Sequence, residues 1–195
     1  MATAAHADVT RRDFLYIATG AVGAVGTALV AWPFIHQMNP DASVKALASI
    51  EFDLAPIAEG QEVTIKWRGN PVIVRHRTAK EIEDAAAVKL EDLKDAMARN
   101  ANVKDADPAT GENRVIKGHE KYIVMMGVCT HLGCVPQGNA GDYGVVEGSA
   151  KHGGWFCPCH GSHYDTAGRI RKGPAPENLH IPQYSYISDT KIKIG

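Results

Sequence analysis

All four cysteines of this 195-residue chain fall between residues 129 and 159, in two short segments that each also contain a histidine. The first segment, residues 129–134, reads CTHLGC, and the second, residues 157–162, reads CPCHGS. Cysteines this close together in sequence indicate either disulfides or a metal site, and the spacing and number of possible ligands must separate the two.

Counting the ligands favours an iron–sulfur centre with a mixed ligand set. Structural zinc takes four ligands, whereas six candidates are present, so a Cys₂His₂ zinc site would leave two cysteines over. An all-cysteine cluster would leave both histidines unexplained, and the C-x-x-C motif of a thioredoxin-like redox pair does not occur. Two thiolates on one iron, two imidazoles on a second, and a disulfide between the remaining cysteines would use all six residues.

The two segments match the pattern C-x-H-x-G-C … C-x-C-H-x-S at every fixed position, and the chain therefore resembles the Rieske iron–sulfur proteins. In these proteins histidine replaces cysteine on one iron of a 2Fe–2S cluster, which raises the reduction potential because a neutral imidazole leaves the cluster less negative. The resemblance implies that Cys129 and Cys157 bind the first iron. It implies that His131 and His160 bind the second.

The resemblance also implies a disulfide between Cys134 and Cys159 that joins the two cluster loops. Soluble Rieske ferredoxins and ring-hydroxylating oxygenases usually lack this second pair of cysteines. The pair therefore points to the high-potential, respiratory branch, the Rieske subunits of bacterial quinol–cytochrome c oxidoreductases (cytochrome bc complexes). The alternative is a small Rieske electron-transfer subunit of another periplasmic oxidoreductase, such as arsenite oxidase.

Residues beyond the ligands also match the family. Ser162 and Tyr164 occupy positions whose hydroxyls donate hydrogen bonds to cluster and cysteine sulfur, and such bonds raise the potential by stabilising the reduced state. The prolines of Gly173-Pro174-Ala175-Pro176 stiffen a loop by fixing φ, and the resemblance implies that this loop covers the cluster. Five other histidines fit no ligand pattern and are expected to be surface or packing residues: His76, His119, His152, His163 and His180.

The N-terminal part of the chain is predicted to be a membrane anchor. Residues 14–40 contain no Asp, Glu, Lys or Arg, and residues 14–35 would form a helix about 33 Å long, enough for a hydrocarbon core of roughly 30 Å. A cleaved signal peptide is the alternative, but its apolar region is usually shorter. The preceding Thr10-Arg11-Arg12-Asp13-Phe14-Leu15 resembles a twin-arginine export signal. The arginines predict a cytoplasmic N-terminus and a periplasmic C-terminal domain at the inner (plasma) membrane.

The rest of the chain is expected to be a mainly β, antiparallel Rieske domain with a small cluster-binding subdomain and one helix–loop insertion. A hairpin of Glu62–Trp67 with residues 71–76, a helix over residues 78–100 and later strands at residues 122–128, 181–187 and 191–194 are predicted. The expected divisions are residues 1–13 (cytoplasmic), 14–38 (anchor), 39–49 (tether) and 50–195 (domain), with the cluster-binding subdomain at about 127–178. A long glycine-rich insert, residues 138–154, has no predicted role.

The family resemblance implies a function as well as a cofactor. The chain would accept one electron from ubiquinol, with a proton on His160, and pass the electron to a c-type cytochrome by movement of the domain on its tether. The resemblance favours His160 as the proton acceptor, and His131 is the alternative. The proposed hinge is Ala46, Leu47, Ala48 and Ser49. Implied partners are a cytochrome b subunit, a c-type cytochrome subunit and membrane lipid, in a dimeric complex. The formal net charge of -1 gives no sign of nucleic-acid binding.

Overall fold

The computed structural model describes residues 10–46, 48–104, 106–143 and 153–195. The chain divides into two compact units, Met1–Ala46 and Leu47–Gly195. Helices α1 (Arg11–His36) and α2 (Ala42–Ala46) belong to the first unit, and helix α3 (Ala79–Ala87) to the second. The strands of the second unit are β1 (Ile50–Asp53), β2 (Glu62–Trp67), β3 (Asn70–His76), β4 (Tyr122–Met126), β5 (Gln137–Gly138), β6 (Trp155–Cys157), β7 (Ser162–Tyr164), β8 (Ile170–Lys172), β9 (Tyr184–Ser188) and β10 (Lys191–Ile194).

These strands form three antiparallel sheets with the orders β1-β10-β9, β2-β3-β4 and β5-β6-β7-β8. The mainly β fold class with one N-terminal apolar helix is thereby confirmed. Apolar side chains from all three sheets, among them Val74, Ile123, Tyr164 and Ile192, form one buried core. Burial of this shared core holds the three sheets together.

Helix α1 is long and apolar enough to cross a membrane. Its 26 residues span about 39 Å, and none of its side chains is buried in the protein. The helix begins earlier than the apolar segment because Thr10 and Asp13 form a capping box: the Asp13 N–H donates to Thr10 Oγ1 (3.3 Å) and the Thr10 N–H donates to Asp13 Oδ2 (2.9 Å). Arg11 and Arg12 of the export-signal motif are therefore the first helical residues.

The predicted hairpin is confirmed by the pairing of β2 with β3 in antiparallel register, Val63 opposite Val74. Its turn is Arg68-Gly69, because Asn70 already pairs with Trp67. Arg68 and Gly69 have φ of 47° and 82°, the left-handed conformation that favours a two-residue hairpin turn.

The predicted helix over residues 78–100 is wrong beyond residue 87. Helix α3 ends at Ala87, and after a short 3₁₀ turn the chain is irregular. The reason is that the backbone groups of this segment bond to other parts of the domain. The Ala98 N–H donates to Asp107 O (2.8 Å), and Asn178 Nδ2 donates to Met97 O (2.8 Å). These bonds between distant segments replace the helical ladder that the spacing of the apolar residues suggested.

The closing strands occupy nearly the predicted positions. Strand β10 covers residues 191–194 as expected, and β4 begins at Tyr122. Strand β9 begins at Tyr184 rather than Ile181, because the backbone of Ile181 bonds instead to Arg99 O and the Ala101 N–H.

The buried Arg114 connects the helix–loop insertion to the turn between β7 and β8 and to the segment that follows β8. The fully buried Arg114 donates to the carbonyls of Ala98 (through Nη1), Ala167 (2.8 Å) and Leu179 (2.6 Å). Burial lowers the pKa of Arg114 to about 9, so the guanidinium stays charged at neutral pH. These carbonyls come from three separate segments, and one charged side chain therefore fixes their relative positions.

Candidate metal centre

The two cysteine–histidine segments lie at the ends of strands. The first follows β4, and the second forms the turn between β6 and β7. Each is closed by a short backbone bond: the Gly133 N–H donates to Cys129 O (2.9 Å), and the Gly161 N–H donates to Cys157 O (3.0 Å). Both glycines have positive φ, 84° and 75°, which explains why these tight loops need glycine there.

A disulfide between Cys134 and Cys159 joins the two loops, with their Cα atoms 6.7 Å apart. This is the pairing that the family resemblance implies. The Cys157 sulfur lies within 4.8 Å of both disulfide sulfurs. Because the disulfide uses two of these three sulfurs, only the Cys157 thiol among them is free to bind a metal.

The remaining two cysteines and the two motif histidines form the candidate ligand set. Cys129 and Cys157 are unpaired thiols, each 2% exposed, and their side chains interact. The rings of His131 and His160 lie with their centroids 4.7 Å apart at an angle of 86°. Two soft sulfur donors beside two imidazoles suit an iron–sulfur centre.

One nitrogen in this set lacks a hydrogen-bond partner in the part of the chain that the structure describes. Nδ1 of His131 is buried and has no hydrogen-bond partner among the described residues. A buried polar atom without a partner costs on the order of 1–3 kcal/mol, so such an atom calls for an explanation. An iron ion bound at Nδ1 would satisfy it, and the residues present therefore fit a cluster with imidazole ligands.

The two thiols have different electrostatic surroundings. Burial is the largest single influence on the pKa of Cys129 and by itself would raise it. Hydrogen bonds from the Tyr164 hydroxyl, the His131 backbone N–H and other polar neighbours together outweigh burial, so the pKa lies below its usual value. For Cys157 burial and the neighbouring Cys129 raise the pKa. Cys129 is thus the thiol that ionises more readily, and the thiolate is the form that binds metal.

The Tyr164 hydroxyl forms a hydrogen bond with the Cys129 sulfur. The two atoms lie 3.2 Å apart, and the tyrosine is fully buried. Burial and the contact with Cys129 raise the pKa of Tyr164, so its hydroxyl keeps its proton and acts as the donor to the thiolate. The hydroxyl also accepts a bond from the Thr130 N–H (3.3 Å), which fixes its position.

The proline loop, residues 173–176, packs against the second cysteine–histidine segment, and the residue that follows it bonds to the first. A side chain at Gly173 would collide with the backbone of Gly161 and Ser162, and the Ala175 N–H donates to Ser162 Oγ (3.1 Å). On the other segment, the Thr130 hydroxyl donates to Glu177 O (2.6 Å). The loop and the residue after it therefore connect the two segments, and the prediction that the loop covers the cluster stays a prediction.

Thr130 is a site residue that the motif did not reveal, since it occupies a variable position of the pattern. Its hydroxyl connects the first segment to the chain just after the proline loop, and its N–H supports Tyr164. The sequence offered no signal for this beyond a hydroxyl between two candidate ligands.

The other histidines that the structure describes make packing or surface contacts. His76 stacks on Tyr122 (4.4 Å between centroids) and His119 on Tyr186 (3.6 Å). His163 packs on Phe156, and His180 pairs with Glu177 (2.9 Å). Residues 144–152, which include His152 and most of the glycine-rich insert, lie outside the described residues.

The predicted hinge falls around the boundary of the two compact units. Ala46 is the last residue of α2, and Leu47 lies outside the described residues. The Ala48 carbonyl accepts bonds from Trp67 Nε1 (2.9 Å) and Arg68 Nε (3.2 Å). Ala48 is therefore attached to the β2–β3 hairpin.

Comparison with known protein families gives two matches. Residues 1–41 match the family described as "Ubiquitinol-cytochrome C reductase Fe-S subunit TAT signal". Residues 85–185 match the family described as "Rieske [2Fe-2S] domain". The second match covers the whole candidate metal centre.

Curated relatives are similar over their full length. The ubiquinol-cytochrome c reductase iron-sulfur subunit of Bradyrhizobium diazoefficiens is 52% identical, covering 100% of both chains. The subunit of the same name from Blastochloris viridis is 50% identical, covering 100% of this chain and 98% of the relative. A chain of a solved structure described as "Hyperthermophilic respiratory Complex III" has a TM-score of 0.47 and 24% identity, covering 90% of this chain and 98% of that chain.

Proposed function

This chain belongs to the family of ubiquinol–cytochrome c reductase iron–sulfur subunits, and we propose that it takes one electron and one proton from ubiquinol and passes the electron to a c-type cytochrome. Membership makes it a subunit of an oxidoreductase complex with a Rieske 2Fe–2S cluster. The observation that carries the proposal is the pair of disulfide-joined loops, which bring two buried thiols and two histidines together.

Four residues are proposed to hold the cluster: Cys129 and Cys157 on one iron, His131 and His160 on the other. When bound, the cluster supplies a one-electron acceptor of high potential. Nδ1 of His131, which has no hydrogen-bond partner among the described residues, supports ligation through that atom. The same ligation is proposed for His160, which would leave Nε2 of both histidines free. Ser162 and Tyr164 are proposed to donate hydrogen bonds to the sulfurs and so favour the reduced state.

His160 is proposed to receive the proton. Its side chain is exposed, whereas His131 is only partly exposed, so Nε2 of His160 is the better placed to meet a quinol. In this step the quinol O–H bond breaks, the proton goes to His160 Nε2, and one electron leaves the quinol. The second electron of the quinol needs another acceptor, for which the b-type cytochrome of the complex is the candidate.

The proposed topology is a single-pass protein of the inner membrane. The twin-arginine family match and the apolar helix α1 support anchoring and translocation. Arg11 and Arg12 at the start of α1 support a cytoplasmic N-terminus, since positive residues remain on that side. The cluster domain would then be periplasmic, where its disulfide is stable.

The electron is proposed to reach the c-type cytochrome by movement of the cluster domain on its tether. The hydrogen bonds of Trp67 and Arg68 to the Ala48 carbonyl attach that residue to the domain, which narrows the proposed hinge to the residues before it. A tether of about 11 residues reaches at most roughly 36–40 Å when fully extended, and this reach would require helix α2, which lies within the tether, to unwind.

Purification of the full chain from solubilised membranes tests the proposal. We expect a b-type and a c-type cytochrome to copurify in a dimeric complex, and low-temperature EPR to give the signal of a Rieske cluster. Adding ubiquinol should reduce this cluster and then the c-type cytochrome. Copurification with another periplasmic oxidoreductase, such as arsenite oxidase, with no reduction by ubiquinol, would overturn it.

A further inference from the structure

Lys94 reaches from the helix–loop insertion to the proline loop. Its Nζ donates to Gly173 O (3.0 Å) and to Ala175 O (2.9 Å). These are charge-assisted bonds to two carbonyls on either side of Pro174, and they connect residues about 80 positions apart in the sequence. Both bonds go to the proline loop, so the loop is the direct route by which Lys94 can affect the candidate metal ligands.

The backbone beside Lys94 is held in place opposite this loop. Asp95 accepts from the Asn178 N–H (3.0 Å) through its carboxylate, and Asn178 Nδ2 donates to Asp95 O (3.0 Å). Both residues are buried, and Arg99 Nε adds a third bond to the Asp95 carboxylate (2.9 Å). These hydrogen bonds fix the backbone next to Lys94, so that its side chain lies within reach of the two carbonyls of the proline loop.

Ala175 links Lys94 to Ser162. The carbonyl of Ala175 accepts from Lys94, and its N–H donates to Ser162 Oγ at 3.1 Å. Ser162 is 1% exposed, and its hydroxyl also interacts with the Cys129 sulfur. Because Oγ accepts the bond from Ala175, the single hydroxyl hydrogen of Ser162 remains available for a sulfur acceptor.

We propose that Lys94 is a positioning residue for the cluster. By holding the carbonyls of Gly173 and Ala175, it keeps the Ala175 N–H on Ser162 Oγ and so directs the Ser162 hydroxyl hydrogen toward sulfur. This inference rests on the proposed ligand set and on the proposed role of Ser162. Loss of Lys94 lets the loop move, the serine hydroxyl rotate, and the reduced state lose a hydrogen bond.

A double-mutant cycle in the full, cluster-containing chain tests the inference. The variants are Lys94→Met, which keeps the length of the side chain without its donors, Ser162→Ala, and the two combined. We expect Lys94→Met alone to lower the ratio of reduced to oxidised cluster about threefold at a fixed ambient potential, where a tenfold change is 59 mV for one electron. In the Ser162→Ala background the same change should have less than half of this effect, because the hydroxyl through which Lys94 acts is gone.

The matched control separates positioning from charge. Lys172→Met removes an exposed lysine adjacent to Gly173 that makes no hydrogen bond to the loop within the described residues, and it should leave the ratio within a factor of 1.5. Lys94→Arg retains the charge and the donors and should restore most of the wild-type ratio. A fully additive cycle would show that Lys94 acts independently of the Ser162 hydroxyl. An equal effect from Lys172→Met would show that only the positive charge matters. Either result would overturn the inference.

Amide hydrogen exchange gives a readout independent of the cluster. The Ala175 N–H should exchange at least fivefold faster in Lys94→Met than in the wild type, and unchanged exchange would overturn the inference while leaving the proposed function intact. Ser162→Ala alone reports on the proposed function. If its potential equals that of the wild type, the proposed role of Ser162 fails, and the inference that depends on it fails as well.

Discussion

Replacing Tyr164 by phenylalanine should lower the reduction potential of the cluster while the cluster remains bound. The substitution deletes one oxygen atom and keeps the ring, which is fully buried in the core. The deleted hydroxyl lies 3.2 Å from the Cys129 sulfur and donates its hydrogen to it. The four proposed ligands themselves are unchanged.

The size of the effect follows from the strength of this bond. A hydrogen bond to a charged group contributes about 1.5–3 kcal/mol. The bond is stronger in the reduced state, because the added electron makes the sulfurs more negative. If about half of its strength is the difference between the two redox states, the reduced state loses ~1 kcal/mol, or roughly 40 mV for one electron.

Redox titration monitored by EPR measures this shift, and a second tyrosine provides the control. Tyr186 carries a buried hydroxyl with no hydrogen-bond partner among the described residues, so Tyr186→Phe makes the same chemical change without removing a bond. The reduction potential of the cluster in Tyr186→Phe should equal that in the wild type. Thermal unfolding should distinguish the variants too, because only Tyr164→Phe leaves the Thr130 N–H without its acceptor, at a cost of about 1–3 kcal/mol.

Two results would refute this reasoning. An unchanged potential in Tyr164→Phe, with the EPR signal intact, would mean that the hydroxyl does not favour the reduced state. An equal decrease in Tyr186→Phe would mean that the loss of any buried hydroxyl, rather than the bond to Cys129, changes the potential.

Three further predictions concern the stability of the domain and the tether. Arg114→Met should lower the free energy of unfolding by about 3 kcal/mol or more in denaturant unfolding, because buried carbonyls of three segments lose their donor. The control Lys66→Met, at an exposed position, should change it by less than about 0.5 kcal/mol. Burial raises the pKa of Tyr184 to about 12 from an ordinary 10, so its stabilising contribution, about 2–3 kcal/mol, is complete below pH 10 and is lost as the pH rises toward 12. Melting temperatures of Tyr184→Phe measured from pH 9 to 12 should therefore fall less steeply than those of the wild type; parallel curves would contradict this. Prolines at Ala46 and Leu47 should slow quinol-dependent cytochrome c reduction several-fold with an unchanged EPR spectrum, while glycines there should not, and full turnover of the proline variant would argue against domain movement.

Short-range patterns in the sequence determined the parts of this protein that depend on neighbouring residues. A run of apolar residues without charges is sufficient to predict α1, because the thickness of a membrane sets the length of the helix that crosses it. The β2–β3 hairpin followed from alternating strands and a glycine turn. The two cysteine–histidine segments were recognisable because each loop places its ligands within a few residues of one another.

Tertiary structure decided whatever depends on segments that are distant in the sequence. The helical pattern of residues 88–100 was overridden because the backbone there bonds to Asp107 and Asn178. The greater exposure of His160 relative to His131, and the unpartnered Nδ1 of His131, depend on how the two loops fold together.

The surroundings of the cluster site show most clearly what the sequence pattern does not reveal. The motif supplies the candidate ligands, but it says nothing of Lys94, which lies well before either cysteine–histidine segment and reaches the proline loop only in the folded domain. The direction of the Ser162 hydroxyl likewise depends on Ala175, which the fold brings within 3.1 Å. Local sequence thus specifies which atoms can bind the cluster, and contacts between distant segments specify how those atoms are oriented, because a hydrogen bond requires both partners to be held in place.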